Sequence, residues 1–214
     1  IGMRVRQSEQ MRLRALGLLM AVTVVAWVAG PAQAQQKKIT GEDGAPMVLV
    51  PAGEFTMGSN DGSDDEKPVH QVYLDAYYLD KYEVTVGQYA KFLKATGFNG
   101  PPMWTTMDQP PHQKRPIVNV DWSDASNYCE WAGKRLPTEA EWEKAARGGV
   151  SGHRFPWSDS DTITHSRANY KSTSDYAYDV SPTRGYHPTY GAGYYPYGGG
   201  EFTSPVGSFA ANGY

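Results

Sequence analysis

The sequence predicts an α+β domain with short strands, two to three helices and extensive irregular loops. Short apolar or alternating runs in the first half of the chain are typical of strands, and three segments place apolar residues at helical spacing beside capping residues. The composition agrees, because a hydrophobic content of 40% with 23 glycines and 15 prolines is typical of a globular, loop-rich protein. A chain of 214 residues has room for one core of ordinary size.

Residues 1–34 have the features of a secretory signal peptide. Arg12 and Arg14 precede the apolar run 16–30, and an Ala-x-Ala cleavage site follows at Ala34. The alternative, a membrane anchor, needs about 20 apolar residues. We therefore expect cleavage near Ala34 and export to a periplasm or the extracellular space. Membrane contact is expected only through this segment, if it stays uncleaved.

The polar segment 35–46 predicts a flexible leader, so that the folded domain spans residues 47–214. The formal net charge is −3, and four of the basic residues lie in segment 1–34, so the remainder is more acidic still. Because the recognition of phosphates needs basic patches, this balance argues against nucleic acid as a partner.

Four stretches predict strands. Residues 47–50 and 54–57 flank a Pro-Ala-Gly turn and predict a hairpin. Residues 69–83 are rich in Val, Tyr and Leu and predict one strand, or two strands joined near Asp75. Residues 117–120 predict a further short strand.

The first predicted helix spans residues 86–96. Thr85 is a suitable N-cap and Gly97 a suitable stop. Aromatic and aliphatic side chains recur at helical spacing and predict a core face formed by Tyr89, Phe92 and Leu93.

Residues 119–149 predict two helices joined by a tight elbow. The first begins at Ser123 and ends at Gly133. In the second, Thr138 caps the free amides and Glu141, three residues on, completes a capping box. The predicted apolar face of this second helix consists of Trp142, Ala145 and Ala146. We expect the charged residues of both helices to act only in capping and solvation.

The run KRLPTEAEWE at residues 134–143 closely resembles the signature of the formylglycine-generating enzyme family, also called the sulfatase-modifying factor domain. Further matches occur in the order expected of the family, at residues 48–58, 83–85, 116–122, 155–157 and 205–209. The resemblance implies a C-type-lectin-like α+β fold. It also implies copper-dependent oxidation of a sulfatase cysteine to formylglycine, with a sulfatase or another protein or peptide as the partner.

Cys129 is the only cysteine, and its place on the apolar face of a helix predicts a buried, inert thiol. It corresponds to neither member of the copper-binding cysteine pair that the family carries. Since copper(I) prefers soft thiolate ligands, the copper ligands are absent from this chain and we expect the catalytic part to lie beyond Tyr214. The alternative function is that of a non-catalytic scaffold of the same fold that binds a peptide, protein or glycan.

The resemblance also implies a structural calcium ion after the Pro-Trp motif. In this sequence Asn169 and Tyr170 match the first part of that site, and Asp175 or Asp179 is the candidate carboxylate ligand. Side-chain and main-chain oxygens suit calcium. The alternative is an ordinary polar loop.

Two other groups of residues are weaker candidates for a site. The acidic loop 58–67 lacks the spacing of an EF-hand and predicts a solvated loop. Segment 186–200 contains five tyrosines and predicts a surface loop, with a platform for a peptide or sugar as the alternative. The five histidines lack the spacing of a metal motif and could meet only through folding: His70, His112, His153, His165 and His187.

Overall fold

The computed structural model describes residues 39–191 and 203–214, and it confirms the α+β class. The strands are β1 Ile39–Thr40, β2 Pro46–Val50, β3 Gly53–Met57, β4 His70–Leu74 and β5 Tyr77–Asp80. The helices are α1 Val86–Thr96, α2 Trp104–Met107, α3 Trp122–Trp131 and α4 Glu139–Arg147. Within the described ranges, no helix is long and apolar enough to cross a membrane.

The strands form two small antiparallel sheets, β1–β2–β5 and β3–β4. The predicted hairpin between β2 and β3 is therefore wrong, because Val50 of β2 pairs with Tyr77 of β5 while Gly53 of β3 pairs with Leu74 of β4. β2 and β3 thus pair with strands farther along the chain, and the turn between β2 and β3 connects the two sheets. The predicted break near Asp75 is confirmed, since it separates β4 from β5.

Ordered structure begins earlier than the sequence predicts. Ile39 of β1 pairs with Met47 of β2, and Asp43 in the connecting turn is buried. The flexible leader expected up to Pro46 is therefore wrong from Ile39 onward. The polar composition of this segment predicts solvent exposure, but the buried carboxylate of Asp43 accepts hydrogen bonds from other parts of the protein.

Helix α1 has the predicted bounds. The Thr85 side chain accepts a hydrogen bond from the Gln88 amide, and Gly97 ends the helix in the left-handed conformation with φ 75°. Tyr89 stacks on Tyr128 of α3 at a ring-centroid distance of 5.7 Å. The buried cluster at this contact comprises Tyr89, Phe92, Tyr128 and Ala132.

Helices α3 and α4 confirm the predicted pair, with two corrections. The N-cap of α3 is Asp121 rather than Ser123, because Asp121 and Asp124 form a reciprocal capping box. The capping box of Thr138 and Glu141 is confirmed in α4. Trp142, however, is 63% exposed and does not share the buried face.

The remaining chain is largely irregular. Residues 117–120 do not form a strand; the adjoining Pro116 makes only an isolated bridge to Thr85. The acidic loop 58–67 is mostly exposed and contains one short 3-10 turn, Asp64–Glu66. From Val150 to Gly191 the chain has isolated bridges but no helix or extended strand, as the sequence predicts.

Candidate functional site

A cleft of about 1170 Å³ opens between the β1–β2–β5 sheet, the connection from α3 to α4 and the C-terminal segment 204–214. All four residues of β5, whose outer side is one edge of the sheet, line the cleft together with residues of β1 and β2. In the described part of the chain, no strand pairs with that edge. The exposed Trp142 also lines the cleft. An unpaired strand edge beside an exposed aromatic ring is a suitable surface for an extended polypeptide.

A buried ion cluster lies beside the cleft. The Lys134 ammonium is 2.9 Å from the Asp43 carboxylate and 2.8 Å from the Asp80 carboxylate. The Tyr128 hydroxyl and the Ala45 amide donate hydrogen bonds to Asp43 over 2.6 Å and 3.0 Å. The cluster therefore joins the β1–β2 turn, β5 and the residues that follow α3.

The electrostatics of this cluster commit its lysine to ion pairing. Burial raises the pKa of Asp80 despite the hydrogen bonds from Lys134. Burial acts on Asp43 in the same direction, but hydrogen bonds from Tyr128 and Lys134 hold the pKa of Asp43 below its ordinary value. For Lys134, the two carboxylates outweigh burial and raise the pKa. Because Lys134 keeps its proton at neutral pH, it has no lone pair for base or nucleophilic catalysis.

Cys129 also lines the cleft, but its thiol is poorly suited to metal binding or catalysis. The side chain is half-buried, and burial raises the pKa of the thiol, an effect that nearby Asp80 reinforces. The reactive and metal-binding form of cysteine is the thiolate. The side chain is thus less buried than predicted, while the raised pKa agrees with an inert thiol. The residues present do not fit copper(I), which needs soft thiolate ligands.

Lys144 of α4 has an unexpected role in docking this helix. Its side chain is buried, and its ammonium donates hydrogen bonds to the main-chain carbonyls of Pro51 and Gly53, each over 2.8 Å. The expectation that charged residues of this motif act only in capping and solvation is therefore wrong. The burial of Lys144 could have been predicted from helical spacing. Lys144 lies three residues after Glu141 and directly before Ala145, so all three residues share the buried face of α4.

Glu143 and Arg147 hold the end of β3 in a similar way. The Gly58 amide donates to Glu143 over 2.8 Å, and Arg147 donates to the Gly58 carbonyl over 2.9 Å. Arg147 also pairs with Glu143, at 2.6 Å. The two side chains thus bind both polar groups of one glycine residue, which fixes α4 against the second sheet.

The elbow before α4 is fixed by Arg135 and Glu141. Arg135 donates two hydrogen bonds to the Glu141 carboxylate, over 2.7 Å and 2.6 Å. Together with a hydrogen bond from the Thr138 amide, they outweigh partial burial and lower the pKa of Glu141 to about 2. The carboxylate is thus ionised at neutral pH and committed to the capping box, which excludes it as a general acid.

The four residues predicted to bind calcium are only partly brought together. The Tyr170 hydroxyl donates to the Asp179 carboxylate over 2.7 Å, and Asp179 is 4% exposed. Asp175 is exposed, and its amide donates to the Thr173 hydroxyl. Asn169 is partly buried beside Tyr170 in the chain.

The surroundings of Asp179 do not fit a calcium ion. Its two carboxylate oxygens accept hydrogen bonds from the Tyr170 hydroxyl, the Ser181 amide and the Thr173 amide. The Arg184 guanidinium lies 3.1 Å from the same carboxylate. Since a calcium ion would have to displace these donors, the oxygens needed for coordination are already committed.

Two histidines meet in the irregular segment. The rings of His165 and His187 are 5.3 Å apart between centroids. His165 Nε2 is 3.2 Å from the Tyr170 carbonyl, and His187 Nε2 is 2.9 Å from the His165 carbonyl. Across residues 39–191 and 203–214, no group of three His, Cys, Asp or Glu side chains could hold a metal ion.

The tyrosine-rich segment 186–200 is described only in part. Tyr186 is exposed, whereas the Tyr190 ring packs beside His187 at a centroid distance of 4.7 Å and beside Phe209 at 6.1 Å. The other three tyrosines lie outside the described residues. The platform for a peptide or sugar therefore stays a prediction.

Comparisons with known proteins agree with the resemblance read from the sequence. The chain is 41% identical over 140 residues to the serine/threonine-protein kinase pkn1 of Chlamydia pneumoniae, which covers 58% of this chain and 22% of that protein. It is 36% identical over 159 residues to the formylglycine-generating enzyme of Bos taurus, covering 52% of this chain and 42% of the enzyme. The chain thus spans less than half the length of these two relatives.

A solved structure shows the same fold. The structure of PvdO from Pseudomonas aeruginosa superposes with a TM-score of 0.56 and 32% sequence identity, covering 83% of this chain and 69% of PvdO. The family model of the sulfatase-modifying factor enzyme 1-like domain matches residues 32–214. The chain therefore belongs to the sulfatase-modifying factor family.

Proposed function

We propose that the protein is an exported, formylglycine-generating-enzyme-like protein whose complete form oxidises a sulfatase cysteine to formylglycine. The observation that supports this best is the family match over residues 32–214, together with 36% identity to a formylglycine-generating enzyme. Because the chain spans 42% of that enzyme, the activity is proposed for the complete protein.

The role of the present residues in this reaction is to supply the scaffold. The reaction would oxidise the thiol-bearing carbon of cysteine to an aldehyde by two electrons, with the sulfur leaving as hydrogen sulfide. Dioxygen would be the oxidant, and a thiol reductant would supply the other two electrons needed to reduce it to water. Copper(I) held by thiolates would supply the activation of dioxygen. Residues 1–214 contain one cysteine, and the raised pKa of Cys129 keeps its thiol protonated. Oxidation by this route therefore requires cysteines outside these residues.

The test is an aerobic oxidation assay with the complete protein, copper(I), a thiol reductant and a sulfatase peptide that contains the target cysteine. Mass spectrometry should show loss of the thiol and formation of an aldehyde that reacts with a hydrazide. Cys129→Ser should keep the wild-type rate, because Cys129 is structural. An unmodified peptide after incubation with folded, copper-loaded protein would exclude this activity.

A second candidate function is that of a non-catalytic scaffold that binds a polypeptide. Two observations favour it: the domain matches part of a protein named as a kinase, and the cleft places an unpaired edge of β5 beside Trp142. An extended peptide could add to that edge through main-chain hydrogen bonds and pack against the indole ring. A partner protein would be bound through one of its extended segments, whereas a glycan would use the aromatic surface alone.

The second function is tested by fluorescence anisotropy with a labelled sulfatase peptide in which serine replaces the target cysteine. We expect Trp142→Ala to weaken binding by about tenfold, as for a central aromatic contact. Trp122→Ala is the matched control, because Trp122 is 73% exposed and does not line the cleft. Equal affinities of the two variants would contradict binding in the cleft.

Export remains part of the proposal, since residues 1–34 lie outside the described structure. The proposed cleavage near Ala34 predicts a mature protein that begins at Gln35. N-terminal sequencing of protein recovered from the periplasm or culture medium checks this. Retention of residues 1–34 in the exported protein would instead indicate an uncleaved anchor.

A further inference from the structure

The guanidinium of Arg184 is surrounded by oxygen atoms. Its Nη1 lies 3.0 Å from the main-chain carbonyls of Thr173 and Asp179, and 3.1 Å from the Ser172 hydroxyl. The same nitrogen is 3.1 Å from the Asp179 carboxylate. A carboxylate, a hydroxyl and two carbonyls are the types of ligand that hard cations such as calcium take.

The distances, however, are those of a bound guanidinium rather than a metal ion. They match hydrogen bonds of about 3 Å, whereas calcium–oxygen distances are about 2.3–2.6 Å. Nη1 carries two hydrogens, so it cannot donate to all four oxygens at once. The remaining contacts stabilise the positive charge of Arg184 as charge–dipole interactions.

The backbone holds Arg184 beside these oxygens. Its neighbour Gly185 exchanges two main-chain hydrogen bonds with Ser172, over 2.7 Å and 2.9 Å. Val180, which follows Asp179, donates to the Ile163 carbonyl over 3.0 Å. These links bring together positions far apart in an irregular segment that has no helix or sheet of its own.

We propose that Arg184 is the built-in cation of segment 163–185 and that this segment folds without calcium. Asp179 is buried, and a buried carboxylate is costly unless a positive charge and hydrogen bonds compensate it. Arg184 supplies the charge, while Tyr170 and the amides of Thr173 and Ser181 supply hydrogen bonds. The calcium ion implied by the family resemblance is therefore replaced by a side chain of the protein.

The first test measures the calcium dependence of the purified wild-type protein. The Tm in excess EDTA should equal the Tm in excess calcium chloride to within about 1 °C, because a ligand that does not bind the native state cannot stabilise it. Elemental analysis after dialysis should find no stoichiometric calcium. A Tm that rises with calcium concentration, together with bound calcium, would overturn the proposal.

The second test removes the guanidinium. Arg184→Met leaves the buried Asp179 without its cation. Because the Arg184 side chain is itself 48% exposed, we expect less than the loss typical of a fully buried ion pair, a fall of about 5 °C in the Tm. Arg154→Met is the matched control, because Arg154 is likewise an exposed arginine of the same irregular region, and its guanidinium stacks on the Tyr178 ring at 4.7 Å instead of pairing with Asp179. It should lower the Tm by less than about 2 °C.

The comparison between the two variants decides the role of Arg184. A larger loss in Arg184→Met supports the proposal, whereas equal losses in the two variants would overturn it. If Arg184→Met does not fold, the calcium dependence of the wild-type protein still decides whether the segment needs a metal ion.

Discussion

Lys134 carries the positive charge that compensates both carboxylates of the ion cluster beside the cleft. Its ammonium faces two carboxylates, and the Asp43 side chain is fully buried while that of Asp80 is one-fifth exposed. Taking charges out of water is costly, so such a cluster adds little net stability compared with an apolar replacement of all its members. Removing only one member is different, because the remaining buried charges lose their compensation.

We therefore expect Lys134→Met to destabilise the protein by about 3 kcal/mol, the loss typical of a broken buried ion pair. Urea unfolding followed by circular dichroism measures the free energy of unfolding. The control is Lys91→Met on α1, where the lysine is exposed and the expected loss is less than about 0.5 kcal/mol. Equal losses for the two variants would contradict the structural role assigned to Lys134.

At the scale of elements, the helices are the part of the fold that the sequence predicts best. The signals of α1 and α4 are local: Thr85 and Thr138 cap the first turns, and Gly97 and Gly148 end the helices in the left-handed conformation. The start of α3 was wrong by two residues because Asp and Ser are both good N-caps.

The Thr138 capping box leads to a prediction for α4. Thr138→Ala removes the hydroxyl that accepts the Glu141 amide over 3.2 Å, so we expect a loss of about 1 kcal/mol in the free energy of unfolding. Thr138→Ser keeps the hydroxyl and should stay close to wild type. Chemical denaturation of both variants measures the difference, and a Thr138→Ser loss as large as that of Thr138→Ala would show that the hydroxyl is not the cause.

The pairing of elements could not be predicted in the same way. Alternating residues identify β2 and β3 as strands, but alternation does not say whether the partner is the next strand or a distant one. The same limit applies to α4, where the charged Lys144 is buried because carbonyls of Pro51 and Gly53 accept its hydrogen bonds. The prediction that Trp142 lies on the buried face is wrong because an apolar side chain at helical spacing can still be exposed and line a cleft.

At the scale of the whole molecule, contacts between distant parts of the sequence organise both the fold and the candidate site. The ion cluster joins Asp43, Asp80 and Lys134, and the cleft beside it is bounded by the sheet, the α3–α4 connection and segment 204–214. The family signature at residues 134–143, which indicated the fold by resemblance, also contains Lys134, the residue that pairs with both carboxylates. It did not identify the oxygens around Arg184, which come from an irregular segment whose contacts are set only by folding.

Because the ion cluster of Asp43, Asp80 and Lys134 joins distant segments, the titration of its carboxylates should change the global stability of the domain. The pKa of Asp43 is lowered from 3.8 in the folded state, so its ionised form stabilises the fold above that pH and the contribution is lost as the pH falls through the folded pKa. The pKa of Asp80 is raised from 3.8, so its contribution is present below that pH and is lost as the pH rises through the folded pKa.

The two asparagine variants should therefore respond to pH in opposite directions. The loss of unfolding free energy caused by Asp43→Asn should be larger at about pH 7 than at about pH 3, because only the ionised carboxylate contributes the stability. The loss caused by Asp80→Asn should be smaller at neutral pH than in acid, because ionised Asp80 is held in the fold against its desolvation. Urea unfolding of the wild type and both variants at the two pH values measures these differences. If the loss of unfolding free energy changes with pH in the same direction for both variants, the opposite pKa directions assigned to Asp43 and Asp80 are wrong.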